Sequence, residues 1–157
     1  METSTLAEIK KELLLTPPDK LVEICLRLVK YKKVNKELAH YLLFEADHEA
    51  GYIEKAKVDI SKRFAEMPQN SLFFSTKYIR KTLRLTKQFA QYSKLPQTGI
   101  ELHIHFCKEM KQCEDYWQTY QVLENFYERI IHQTQKDINK LHEDLQYDYT
   151  QELAKLM

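Results

Sequence analysis

The sequence predicts an all-α fold of about seven helices, and three observations favour this class. The 157 residues include only two glycines, Gly51 and Gly99, whereas about 7% glycine is usual and sheet proteins need glycine for tight turns. Apolar residues recur at the helical spacings of three and four. No stretch shows an alternation of apolar and polar residues, typical of a strand, that would compete with these helices. A chain of this length with 43% apolar residues is expected to form one domain over 1–157.

Capping residues and prolines mark the first two helices. Thr5 and Glu8 have the spacing of a capping box, which predicts a helix over about 5–15. Pro17 and Pro18 suit the first turn of a second helix, where a missing N–H costs nothing. The apolar face predicted for that second helix comprises Leu21, Ile24, Cys25, Leu28 and Tyr31.

Further caps and prolines divide the middle of the chain into four helices. They are predicted at about 35–49 after the cap Asn35, 50–67 before Pro68, 71–93 opened by Ser71, and 98–113 opened by Thr98. The hairpins 17–49 and 71–113 resemble each other, since Leu26–Lys30 matches Leu83–Lys87 in four of five positions. This indicates either a helical repeat in a solenoid-like or bundle arrangement, or chance similarity between two leucine-rich helices.

A seventh helix is predicted over about 115–157. Its apolar stripe is broad and aromatic at first, then narrows to Ile138, Leu141 and Leu145. A narrow stripe of this kind resembles a coiled-coil seam. A continuous helix of this length would extend about 64 Å at 1.5 Å per residue. It either packs on the body of the protein or projects toward a second copy or another protein.

The composition excludes several classes of activity and location. Two distant glycines permit no dinucleotide fingerprint, phosphate-binding loop or nucleophile elbow. The first residues lack the features of a signal peptide, and the longest apolar run, Tyr41–Phe44, is far shorter than a membrane span. Three cysteines without CxxC spacing suit reduced thiols. We therefore expect a soluble, cytoplasmic protein that does not bind a membrane and requires no cofactor.

Charge is distributed unevenly although the formal net charge is only +1. Residues 71–100 contain six basic and no acidic side chains, whereas residues 109–157 contain five basic and ten acidic ones. Five of the basic side chains fall within one 120° arc of the fifth helix, and we call them the basic face: Lys77, Arg80, Lys81, Arg84 and Lys87. The basic face is either a solvated surface, a surface neutralised by the acidic C-terminal segment, or a binding site for phosphates or acidic proteins.

Two clusters contain residue types that carry chemistry. Glu45, His48 and Glu49 include an ExxH spacing, which di-iron carboxylate bundles use in pairs together with two further glutamates. The alternative is a hydrogen bond at a contact between helices. His103 and Cys107 lie one helical turn apart, as two ligands of a soft metal could, although free cysteine is commonly just buried.

Two stretches carry a resemblance to a known family. The residues Tyr31–Leu38 and Tyr41–Ala46 resemble a family of short bacterial cytoplasmic proteins of unknown activity, over about residues 20–110. That resemblance implies an all-helical fold and no particular functional residue. The paired helices are similar, at the level of the fold, to HEAT or armadillo α-solenoids.

Three functions are compatible with these features. The first is a non-enzymatic interaction module, in which the basic face binds an acidic protein and the C-terminal helix mediates self-association. The second is a nucleic-acid-binding protein that uses the same face, although a pI near 7.7 is low for that class. The third is a metal–carboxylate enzyme centred on Glu45 and His48.

Overall fold

The computed structural model describes residues 2–113, 117 and 120–157. Helices are the only regular secondary structure within these residues, which confirms the predicted fold class. Eight α-helices are described: α1 (Leu6–Leu15), α2 (Pro18–Tyr31), α3 (Lys33–His40), α4 (Glu49–Ala65), α5 (Leu72–Ser93), α6 (Pro96–Gln112), α7 (Gln121–Ile138) and α8 (Glu143–Ala154). The chain forms two compact units, Met1–Phe44 and Glu45–Met157.

The first unit contains α1 to α3 and has little buried apolar surface. The predicted capping box is confirmed, because Thr5 Oγ1 accepts from the Glu8 N–H and the Glu8 carboxylate accepts from the Thr5 N–H. Pro18 begins α2, as predicted. On the predicted apolar face of α2, however, Leu28 and Tyr31 are exposed. The neighbouring α3 has only eight residues, which is too short to cover α2.

The third predicted helix is shorter than expected. It ends at His40, and a π-helical segment, Tyr41–Glu45, precedes a turn before α4 begins at Glu49. A π-helical turn carries an extra residue and changes the register of the side chains. Asn35 is not the helix cap, because α3 begins at Lys33 after the N-cap Lys32. Asn35 Nδ2 instead donates to the Leu28 carbonyl at 2.8 Å and links α3 to α2.

The second unit is built around α6. This helix packs against α4, α5, α7 and α8, and its side chains Leu102, Phe106 and Met110 are fully buried. Phe106 meets Phe64 of α4 edge to face, with ring centroids 5.1 Å apart. Burying one such side chain stabilises the fold by about 1.5–3 kcal/mol. The core of the second unit therefore fixes the surfaces of α5 and α7 on either side of α6.

The prediction of one long C-terminal helix is wrong over the described residues. The helix α7 ends at Ile138, a turn follows, and α8 packs back against α7 and α6. Ile138 of the predicted seam is fully buried and Leu141 packs against the core. Folding back also buries Leu153. The seam therefore gives no support to self-association, while the predicted helix start near Asp115 lies outside the described residues.

The two hairpins proposed as a repeat differ in their second helix. In the first hairpin α3 has eight residues, whereas in the second α6 has 17. Aligning Leu38–Phe44 of the first hairpin with Ile100–Phe106 of the second pairs Phe44 with Phe106. These two positions differ in environment, because Phe44 is 71% exposed and Phe106 is fully buried. Helix packing is observed, but these differences do not support a solenoid made of two copies.

Candidate binding site

The basic face lies on α5 as predicted, and all five of its side chains are exposed. The opposite side of α5 is buried through Ile79 and Leu83 and also through hydroxyl groups. Thr82 and Thr86 are almost fully buried, and each donates to the carbonyl four residues earlier, at 3.1 and 3.0 Å. Because these hydroxyls are satisfied within the helix, α5 packs closely on the core, whereas Phe74 remains 56% exposed.

A cleft of about 580 Å³ separates part of the basic face from α7. We call it the basic cleft. Arg80, Arg84 and Lys87 of α5 line it, and Arg129 of α7 lines it from the other side. Lys77 and Lys81 belong to the same helix face but are not among the lining residues. The structure thus divides the predicted basic face into a part that lines a cleft and a part that does not.

The basic cleft retains most of its positive charge. Among the described residues no carboxylate forms an ion pair with Arg80, Arg84 or Arg129. Asp137 also lines the cleft, but its carboxylate accepts from Lys140 Nζ at 2.7 Å and from Gln133 Nε2 at 3.2 Å. Burial alone would raise the pKa of Asp137, and these hydrogen bonds outweigh burial and lower it. In the described part of the chain, the acidic C-terminal segment therefore does not neutralise the arginines.

The floor of the basic cleft is apolar. Leu83, Phe126 and Ile130 line it, and each of them is at most 9% exposed. The Arg129 guanidinium lies 5.8 Å from the centroid of the Phe126 ring, a distance that permits a cation–π interaction. The cleft thus combines charged walls with a surface that an apolar side chain of a ligand could contact.

His103 reaches the basic cleft from α6. Its Nδ1 lies 2.7 Å from the Gly99 carbonyl oxygen, and since a carbonyl only accepts, Nδ1 carries the proton of the neutral ring. Burial lowers the pKa of His103, and the nearby Lys87 acts in the same direction. The imidazole is therefore neutral near pH 7 and adds no positive charge to the basic cleft.

The second predicted metal ligand, Cys107, lies in the core of the second unit. Its side chain is fully buried, and burial raises the pKa of the Cys107 thiol to about 12. In the part of the chain that is described, no group of three or more His, Cys, Asp or Glu side chains is placed to hold a metal ion.

The cluster of Glu45, His48 and Glu49 does not form a common site. Glu45 ends the π-helical segment and accepts from Lys55 Nζ at 2.7 Å. His48 caps α4 without a side-chain hydrogen bond to the helix and lies over Gly51. The Glu49 carboxylate accepts from Ser93 and Thr98. Glu45 and His48 do not share one helix, so their ExxH spacing does not place the two side chains on one helix face.

Ser61, His105 and Glu109 form a cluster that sequence reasoning missed. Ser61 Oγ lies 2.8 Å from His105 Nε2 and donates to Glu109 Oε1 at 2.7 Å. The same Nε2 lies 3.1 Å from the Lys57 carbonyl oxygen, which only accepts, so Nε2 carries the proton. A nitrogen that is already protonated cannot take the serine proton, so the three groups are not a catalytic triad.

Comparisons with known proteins add no further information on the site. No protein-family profile matches the chain, and neither a curated protein nor a solved structure matches it. The resemblance to the bacterial family therefore stays a prediction. In the described residues no helix combines the length and the apolar composition of a membrane span.

Proposed function

We propose that the protein is a non-enzymatic interaction module that binds an acidic segment of a partner protein in the basic cleft. One observation carries the proposal: Arg80 and Arg84 of α5 and Arg129 of α7 line one cleft above an apolar floor. Arginines one helical turn apart can bind carboxylates bidentately. A partner segment with acidic and apolar side chains matches both surfaces.

Binding would proceed in two physical steps. The exposed cations attract an acidic segment at long range and raise the association rate. Contact with Leu83, Phe126 and Ile130 then removes apolar surface from water and slows dissociation. Since the three cysteines are free thiols, a partner in the cytoplasm fits the proposal.

The test compares two double variants of α5 that change the charge equally. Arg80→Glu with Arg84→Glu reverses two charges in the basic cleft, whereas Lys77→Glu with Lys81→Glu reverses two on the same helix outside it. Partners captured by the wild-type protein should be lost with the first variant, by tenfold or more, and kept with the second. Truncating a buried charge contact in an interface costs about 2–5 kcal/mol.

The same pair of variants separates this proposal from the nucleic-acid alternative. A nucleic-acid backbone presents phosphates along the whole basic face, so Lys77 and Lys81 would contribute to binding as well. Equal losses with both variants would favour nucleic acid and contradict the cleft. The metal–carboxylate enzyme is not proposed, because Glu45 is bound to Lys55 and because Glu45 and His48 do not share one helix.

A further inference from the structure

The charge balance of the basic cleft exceeds what a single carboxylate can neutralise. Arg80, Arg84, Lys87 and Arg129 contribute four positive charges, and Asp137 contributes one negative charge that is already bound by Lys140 and Gln133. One glutamate or aspartate of a partner would leave most of the excess positive charge of the basic cleft without a counter-charge. A phosphate monoester carries a charge of about −1.5 to −2 at pH 7 and has three acceptor oxygens.

The residue types also favour a phosphate. Three of the four cations are arginines, whose planar guanidinium groups match the oxygens of phosphate bidentately. They approach from two helices, α5 and α7, so a tetrahedral group can receive hydrogen bonds from more than one side. A flat carboxylate has only two oxygens to offer.

We propose that the basic cleft recognises a phosphorylated side chain of the partner, next to an apolar residue that contacts Leu83, Phe126 and Ile130. This inference rests on the proposed function and names its ligand. Clusters of arginines are a recurring means by which proteins bind phosphorylated segments. The cleft volume of about 580 Å³ also lies in the range of about 300–1,000 Å³ that is usual for ligand sites.

The experiment uses immobilised peptide libraries that differ at one central position. That position holds phosphoserine, phosphotyrosine, serine or glutamate, and the flanking positions are randomised. We expect the phosphorylated libraries to retain the full-length protein at least tenfold better than the serine and glutamate libraries. Peptides enriched from the phosphorylated libraries should carry an apolar residue beside the phosphorylated one.

Variants in which neutral glutamine replaces a basic residue test whether the peptides bind in the basic cleft. Arg80→Gln with Arg84→Gln should lower retention at least tenfold, because both substitutions remove charge-assisted hydrogen bonds to the phosphate. Lys77→Gln with Lys81→Gln should change retention less than threefold. All four side chains are exposed, so both variants should fold, which thermal unfolding verifies. Equal losses with the two variants would overturn the cleft as the site.

Two other outcomes separate the inference from the proposed function. Equal retention by the glutamate and phosphorylated libraries would overturn recognition of phosphate while leaving an acidic partner in place. Competition by free inorganic phosphate as strong as that by the enriched phosphopeptide would show a site for the ion alone. If no library binds and protein capture also does not depend on Arg80 and Arg84, both proposals fail.

Discussion

Glu49 joins three helices through a single carboxylate oxygen. Its Oε1 accepts from Ser93 at the end of α5 and from Thr98 in the first turn of α6, and Thr98 is only 1% exposed. Leaving a buried hydroxyl without its acceptor costs about 1–3 kcal/mol. We therefore expect Glu49→Ala to lower the free energy of unfolding by about that amount in urea titrations.

The control for Glu49 lies on the same helix. Asp59 is exposed, and Asp59→Ala should change the free energy of unfolding by less than about 0.5 kcal/mol. Similar losses for the two variants would show that Glu49 does not hold the corner between α5 and α6.

His103 makes stability depend on pH. Burial lowers the pKa of His103 in the folded protein, whereas the unfolded chain titrates near the ordinary value of about 6.5. As the pH falls below about 6.5, His103 takes up a proton in the unfolded state before it does so in the folded state. The free energy of unfolding therefore decreases as the pH falls from about 6.5 to the lower pKa of the folded state. Urea titrations at the two pH values 7.5 and 5.5 measure this decrease in the free energy of unfolding. The decrease from pH 7.5 to pH 5.5 should be smaller for His103→Gln than for the wild type.

A second histidine contributes to the same pH dependence. Burial also lowers the pKa of His105, so part of the pH dependence should persist in the His103 variant. An unchanged slope in His103→Gln would contradict the role of burial at this position.

At the scale of the helix, Gly51 lowers the intrinsic stability of α4. A Cβ at Gly51 would lie 2.4 Å from His48 Cδ2, but the His48 side chain is exposed and can rotate away. Alanine is favoured over glycine inside a helix by about 1 kcal/mol. We expect Gly51→Ala to stabilise the protein by about 0.5–1 kcal/mol in thermal unfolding.

A second variant tests the reason for that gain. In a His48→Ala background the imidazole no longer occupies the space, so Gly51→Ala should give the full gain there. A loss of stability in both backgrounds would show that the backbone at Gly51 needs glycine for another reason.

The return of α8 onto the core is the second feature at this scale. Leu153 is fully buried whereas Leu145 is 37% exposed. We expect Leu153→Ala to cost about 2–5 kcal/mol and Leu145→Ala to cost less than about 1 kcal/mol, both measured in urea. A single projecting helix with its seam at Leu145 would give the opposite order, together with a change of mass in solution.

The sequence was sufficient to predict the helices that have strong local signals. The capping box at Thr5, the start of α5 after Ser71 and the first turn at Pro18 are all confirmed. The π-helical segment and the turn after Ile138 were missed, because no proline or glycine marks them. Acidic residues in the first turn of α8, Glu143 and Asp144, were the available signal for a new helix.

At the scale of the whole molecule, tertiary packing turns a basic helix face into a cleft. The residues of α5 could be predicted because side chains one turn apart share a face. Arg129 could not, since it lies far along the chain and reaches the cleft only because α5 and α7 both pack on α6. For the same reason the sequence could not show that Lys77 and Lys81 lie outside the cleft.

Photo-crosslinking from the basic cleft tests the central claim most directly. A benzophenone side chain in place of Gln133, an exposed residue that lines the cleft, should crosslink to an acidic segment of a partner protein. The same group in place of the exposed Asp59 on α4 is the control and should not crosslink to that segment. Crosslinking that is equal at the two positions, or that persists with Arg80→Glu and Arg84→Glu, would contradict a binding site between α5 and α7.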